Sequence, residues 1–331
     1  MIGAVLVAFT LSEVPVKHQA GADEHATRLR HDILHNRSYD AGVPPASVRS
    51  AAYANLSATG TDVQIQIRIF KVHTVDVAEG TLKLKVWVRM GWSDTRLAWN
   101  PAEYGSLVSV MFPNARELWL PDFEVYNGNL GLRASLDEAM ATVDNEGNVF
   151  WSRPGYLDIL CKFSGLVNFP FDYPTCMFEI GGWGLSGIHQ GLEWMGGEPV
   201  VISNQEYTQG SSYQEYELFN ATGAVELYVY EAAGGDDAWP IALYKLTLRR
   251  ASLFYVSLVC IPQILVTFLS FVVFWAPTAV FNPMQYGISC VIVALLGNIV
   301  LVRLLPICGE WLWIDLFSLV NTVFCCISLM Q

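Results

Sequence analysis

Positive charge is scarce in this sequence: 19 Lys and Arg stand against 31 Asp and Glu, a formal net charge of −12. The imbalance sits almost wholly in the first 250 residues; beyond them the only charges are Arg303, Glu310 and Asp315. An acidic N-terminal part argues against nucleic acid or anionic lipid as its partner and can concentrate cations, although solubility alone also accounts for it. Cysteine is scarce too. Only Cys161 and Cys176 precede residue 260, and those at 260, 290, 308, 325 and 326 lie in or beside apolar runs, where packed thiols are expected. The six His, at 18, 25, 31, 35, 73 and 189, are scattered, with no zinc-type spacing and no Gly-x-Ser-x-Gly elsewhere. The sequence therefore offers no enzyme, no metal site and no cofactor. It also lacks internal repeats and low-complexity linkers.

What is abundant is apolar residue: 53% of the chain, concentrated after residue 250. Residues 253–275, 284–305 and 311–330 are each long and apolar enough to span about 30 Å of hydrocarbon. Pro262 inside the first is tolerable in a membrane helix. Short connections make the three adjacent antiparallel neighbours. The first link, Ala276 to Pro283, has no Lys or Arg, so charge does not orient the chain. At the other end, the apolar stretch 2–11 lacks a preceding Lys or Arg. Residues 1–22 are read either as a signal peptide or as an irregular start. Asn36, Asn55 and Asn220 open three Asn-x-Ser/Thr sequons, compatible with secretion.

Between these ends the pattern is mostly β. Residues 24–45 suggest a short amphipathic helix (Leu29, Ile33, Leu34) with an extended exit. Val63–Ile69 alternates at period two, as does 82–90, where Leu82, Leu84, Val86, Val88 and Met90 oppose Lys83, Lys85, Trp87 and Arg89. Residues 225–230 are expected to repeat this, with Val225, Leu227 and Val229 inward and Glu226, Tyr228 and Tyr230 outward. Short strands with Gly, Pro and Asn turns point to a sandwich or barrel. Trp92, Trp99 and Trp119 are assigned to its core.

The second span carries one informative face: Gln285, Ser289, Ile292, Leu296, Ile299 and Arg303. It is polar at one end, apolar in the middle and charged at the other. Gln285 and Arg303 could simply sit at the two membrane interfaces. Several copies around an axis would instead build a pore, with polar rings and a hydrophobic constriction that gates by dewetting.

Fourteen residues separate Cys161 from Cys176, and Phe169-Pro170-Phe171-Asp172 lies among them, too apolar for an ordinary solvated loop. A disulfide here would stabilise by roughly 3 kcal/mol and needs an oxidising compartment. Two cysteines around Phe-Pro-Phe-Asp, upstream of three apolar spans, resemble the signature of the Cys-loop receptors, the pentameric ligand-gated ion channels. The usual loop has about thirteen intervening residues, one fewer than here. The resemblance covers roughly residues 28–330. It implies an extracellular immunoglobulin-like β-sandwich over residues 23–250, followed by an α-helical transmembrane bundle over 251–331 holding three of an expected four helices. Either the fourth follows beyond Gln331 or the protein is a three-span form whose helix faces lack that cover.

The same resemblance assigns site residues. Trp119-Leu-Pro-Asp122 matches a family hallmark and puts Tyr126 at the first agonist-binding aromatic. Trp183 matches the second segment's aromatic, and Tyr228, Tyr230 and Trp239 fall in the third. On the neighbouring subunit's face Trp87 matches the usual aromatic, Phe150 and Ser152 take contact positions, and Arg89 resembles the carboxylate-binding arginine of glycine- and GABA-type receptors. The physics agrees: aromatic faces attract an ammonium, and an Arg pairs bidentately with a carboxylate. Phe169, Pro170, Phe171 and Asp172, with Arg249 and Arg250 at the junction, are expected to couple the sandwich to the membrane, one ionic pairing joining Asp172 or a nearby acid to Arg250. Asn282 stands where cation channels carry a Glu ring, and Arg303 where they tend to be acidic. The Pro-Ala-Arg pattern of anion channels is absent as well. The expected partners are a small-molecule agonist, permeant inorganic ions, four further subunits in a homo- or hetero-pentamer and the lipid bilayer. The expected location is the plasma membrane, multi-pass, with the N-terminal domain outside. The alternative is a non-conducting, membrane-anchored binding or regulatory subunit.

Overall fold

The structure is a computed structural model that describes residues 22–45, 60–203, 215–230, 238–275, 282–302, 305 and 309–330. Asn55, Arg303, Cys308 and the 1–21 stretch, each singled out in the sequence, lie outside the described residues. The first described element is helix α1 (Ala22–His31), prolonged by a π turn to Asn36, which buries Leu29 and Ile33.

Two sheets follow. In the larger, β1 (Thr61–Asp76) and β2 (Thr81–Ser93) pair as a hairpin, β3 (Ser109–Phe112) pairs with β5 (Ala141–Asp144), and β5 with β6 (Asn148–Leu160). Its order is β3-β5-β6-β2-β1-β8, with β8 (Gln190–Trp194) and β9 (Val200–Ile202) both parallel to β1. The smaller sheet runs β10-β11-β7-β4, from β10 (Tyr216–Val229), β11 (Ala238–Arg250), β7 (Thr175–Gly182) and β4 (Phe123–Val125). Leu82, Leu84, Val86, Val88 and Met90 all point into the core between the sheets, as their alternation requires. Trp92 and Trp119 meet there edge to face at 5.9 Å, and Phe178 stacks on Tyr244 at 4.8 Å.

One strand departs from its pattern. Val225, Leu227 and Val229 are 36%, 69% and 54% exposed rather than inward. β10 is the edge strand of the smaller sheet, and its outer half, residues 224–229, is exposed on both faces, so neither finds a core.

The Cys161–Cys176 disulfide forms across a Cα separation of 5.3 Å. It joins the end of β6 to β7 and so ties the two sheets together beneath the core. The strands end at Arg250, and three apolar helices follow: α2 (Ser252–Phe274), α3 (Pro283–Val302) and α4 (Trp313–Leu329). α2 and α3 are long and apolar enough to cross a membrane; α4 is shorter and begins two residues later than its apolar run. Val256–Cys260 forms a π turn just before Pro262, which lacks an N–H and crowds the carbonyl one turn back. α2 and α3 run antiparallel, with Gln263 beside Asn298 and Tyr286 beside Leu269. α3 and α4 do likewise, pairing Asn298 with Thr322 and Gly287 with Leu329. Cys260, Cys290 and Cys325 pack inside the bundle as expected, but Cys326 is exposed because it follows Cys325 around the helix onto the outer face.

Candidate functional site: an aromatic cluster and its opposite face

Four of the five aromatics expected on one face come together. Tyr126 follows β4, Trp183 follows β7, and Tyr230 and Trp239 flank the outer end of the β10–β11 hairpin. With Gly182 they line an open cavity of about 260 Å³. Tyr126 and Trp183 meet edge to face at 6.3 Å, as do Tyr230 and Trp239 at 6.2 Å. Tyr228 stands behind, stacked on Tyr230 at 6.4 Å, its hydroxyl donating to Glu226 Oε2 at 3.1 Å. Trp183 is 74% exposed, an unusual position for an indole unless something covers it.

The loop bearing Trp183 is held by a residue that the sequence placed only in a hallmark. Asp122 Oδ2 accepts hydrogen bonds from the backbone N–H groups of Trp183, Gly184 and Leu185. Asp122 is in turn locked by buried Gln190, whose amide accepts from the Asp122 N–H at 3.0 Å and donates to its carbonyl at 2.8 Å. Gly181 leaves room for Tyr126, whose hydroxyl donates to the Gly182 carbonyl at 2.6 Å; a Cβ on Gly181 would lie 2.6 Å from that hydroxyl. Burial, helped by Tyr230, Glu179 and Asp122, pushes the Tyr126 phenol up to about 12, so it stays neutral.

The second expected set lies on the other sheet. Trp87 and Arg89 on β2 and Phe150 and Ser152 on β6 share its outer surface, with Arg89 opposite Ser152 and Gly91 opposite Phe150. Trp87 packs edge-on to Phe70 at 4.6 Å, and the Arg89 guanidinium lies 6.0 Å from the Trp87 ring. Arg89 donates only a long bond, 3.4 Å, to Gln66 Oε1, and no carboxylate pairs with it among the described residues. Its Nε is buried without a partner. The two half-sites sit on different sheets of one chain, so they do not meet within it.

At the membrane junction, buried Arg250 donates from Nε to Asp172 Oδ1 at 2.8 Å and from Nη2 to Oδ2 at 3.1 Å. Burial would lower the Arg250 pKa, but the Asp172 hydrogen bonds and charge outweigh it and leave the guanidinium more firmly protonated than usual. Phe169 packs on Tyr255 of α2 at 4.8 Å, and Phe171 on Trp313 of α4 at 5.3 Å. Pro170 is buried beside Phe169. Arg249 turns outward and pairs with Glu217.

Along α3, Gly287, Cys290, Ala294 and Leu301 are buried against α2 and α4. Gln285, Ser289, Ile292, Leu296 and Ile299 occupy the exposed side, about 170° away at 3.6 residues per turn. Asn36 and Asn220 are exposed, the former bonded to Asp32.

These features describe a β-sandwich with an open aromatic cavity, followed by apolar helices of which two are long enough to cross a membrane. The family model described as "Neurotransmitter-gated ion-channel ligand binding domain" matches residues 26–252. The chain is 28% identical over 274 residues to neuronal acetylcholine receptor subunit alpha-2 of Pan troglodytes, covering 79% of this chain and 50% of that protein. It is 26% identical over 273 residues to neuronal acetylcholine receptor subunit alpha-3 of Homo sapiens (79% and 52%). It is 29% identical over 257 residues to acetylcholine receptor subunit alpha-type acr-7 of Caenorhabditis elegans (76% and 45%). The chain spans about half the length of these relatives. It belongs to the neurotransmitter-gated ion-channel family, the Cys-loop receptors, which are receptors and not enzymes.

Proposed function

We propose that this protein is a subunit of a pentameric, agonist-gated ion channel of the plasma membrane, with residues 23–250 outside the cell and residues 251–331 in the bilayer. A small ammonium-bearing agonist binds between the aromatic cluster of one subunit (Tyr126, Trp183, Tyr228, Tyr230, Trp239) and the face of the next (Trp87, Arg89, Phe150, Ser152). The observation that carries this reading is the open aromatic cavity around exposed Trp183. Ring faces offer an ammonium ~0.5–2 kcal/mol each when desolvated. Arg89, with no carboxylate among the described residues, favours an agonist that also bears a carboxylate.

Binding is passed through Phe169, Phe171 and the Asp172–Arg250 pair to α3, whose stripe from Gln285 to Ile299 lines the pore. The relatives are acetylcholine receptor subunits, so acetylcholine is the first probe, with glycine and γ-aminobutyrate as the carboxylate-bearing ones. The test is the current evoked in cells expressing the full-length protein. Trp183→Ala is expected to abolish the response with surface expression intact; an unchanged dose–response curve removes Trp183 from the site.

A further inference from the structure

The three membrane helices turn polar side chains into their shared interior, where hydrocarbon offers no alternative partners. α2 contributes Gln263 and Thr267, α3 contributes Asn298, and α4 contributes Ser318, Asn321 and Thr322. Gln263 Nε2 donates to Asn298 Oδ1 at 3.1 Å and to Ser318 Oγ at 2.8 Å. Asn298 Nδ2 donates to Thr322 Oγ1 at 3.1 Å, and Ser318 donates to Asn298 Oδ1. Thr267 Oγ1 lies 2.8 Å from Asn321 Oδ1. One atom is left over: Gln263 Oε1 is buried and has no hydrogen-bond partner. A buried orphan acceptor is costly and calls for a physical reason.

We infer that Gln263 Oε1 is a second seat for the amide donor of Asn298, and that the setting of α3 follows which seat the donor takes. In this structure Asn298 Nδ2 is seated on Thr322 of α4, and one bond from Gln263 Nε2 ties Asn298 to α2. In the other setting it is seated on Gln263 Oε1, forming a reciprocal amide pair that doubles the tie to α2 and gives up the Thr322 tie to α4. The exchange conserves hydrogen bonds. Asn298 trades one acceptor for another, Thr322 keeps its bond to the Ser318 carbonyl at 2.9 Å, and the orphan on Gln263 is satisfied. Room exists for the shift, because Gly297 presents no side chain: a Cβ there would still lie 3.8 Å from Gln263. Asn298 is next to Ile299 and two residues from Leu296 on the opposite side of the helix, so changing its anchor turns the exposed stripe. Two packings of equal bond count make a bistable element of the kind gating needs. The inference rests on α3 lining the pore.

The test measures how fast a membrane-impermeant thiosulfonate modifies Leu296→Cys and Leu295→Cys in the full-length protein in membranes, against the unsubstituted protein as background. Thr322→Val removes the first seat, and Gln263→Leu removes the second together with the amide's bonds to Asn298 and Ser318, each with little change of volume. The ratio of the two rates is expected to move in opposite directions in these variants. Each shift should be about threefold or more, as the net worth of one hydrogen bond supports. Adding Asn298→Leu should erase the difference between them. Shifts of the same sign, or none, overturn the swap while leaving the pore reading intact. Leu296→Cys reacting no faster than Leu295→Cys in the otherwise unchanged protein overturns the pore reading, and the swap with it.

Discussion

Asp172 and Arg250 form a two-bond ion pair with 0% and 2% of their side chains exposed, linking the disulfide-closed loop to the last residue of the sandwich. Arg250 also reaches Glu215 at 3.0 Å and lies over Phe169 at 4.4 Å. The residue that ends β11 is therefore fixed to the loop that touches α2 and α4. Asp172→Asn leaves buried Arg250 with half-exposed Glu215 as its charged partner. It should cost about 3 kcal/mol, the low end for breaking a buried pair, read as a lowered midpoint for heat-induced loss of the folded, detergent-extracted protein. An unchanged midpoint removes the pair as a structural element.

Asp122 gives a subtler prediction. Its carboxylate holds three N–H groups of the loop under Trp183, so Asp122→Asn should leave the fold intact but loosen that loop. Hydrogen bonds to charged groups contribute about 1.5–3 kcal/mol. The agonist concentration for half-maximal response should therefore rise about tenfold or more with surface expression unchanged.

The middle of the α3 stripe is apolar and exposed. If it forms a constriction that gates by dewetting, Ile292→Ser should wet it and raise the conductance without agonist. Val293→Ser, off the stripe, should not. Equal leak from both variants contradicts the assignment of the stripe.

Asp144 supplies a pH test in the turn leading to Phe150. Burial pushes its carboxyl up, but donors from the Asn148 side chain and the Asn148 and Glu146 backbones outweigh that and hold it below the usual range. A depressed folded pKa stabilises above the unfolded value, about 3.9, and that contribution is lost as pH falls through the folded value. Hydrogen exchange at the Glu146 and Asn148 amides should therefore show protection at pH 5 that fades in acid. Asp144→Asn should show weaker protection with no such acid dependence.

How far the sequence reveals this structure depends on what each pattern measures. Alternation in β2 reports burial faithfully because the strand lies inside its sheet, between β6 and β1. The same alternation in β10 misleads, since periodicity records two faces but not that the strand is an edge whose outer half neither face covers. Tyr126, Trp183, Tyr230 and Trp239 were legible as single positions, but Asp122's grip on the Trp183 loop arises from residues about sixty positions apart. The membrane network was half visible. Gln263 and Thr267 on α2, and Ser318 and Thr322 on α4, recur at the four-residue spacing of one helix face, whereas Asn298 is a lone polar residue on the far side of α3 from its polar stripe and has no such periodicity to mark it.

Because a single chain carries them on different sheets, the aromatic cluster of one subunit and the Trp87–Arg89 face of another are proposed to make one site. The direct measurement is co-expression of two full-length variants, Trp183→Ala and Trp87→Ala. Each alone should be silent to the agonist that opens the unsubstituted channel. Together they should recover a response, since an interface pairing the intact cluster of the Trp87→Ala subunit with the intact face of the Trp183→Ala subunit is whole. Persistent silence from the mixture, with both variants at the cell surface in common assemblies, would contradict a site shared between subunits.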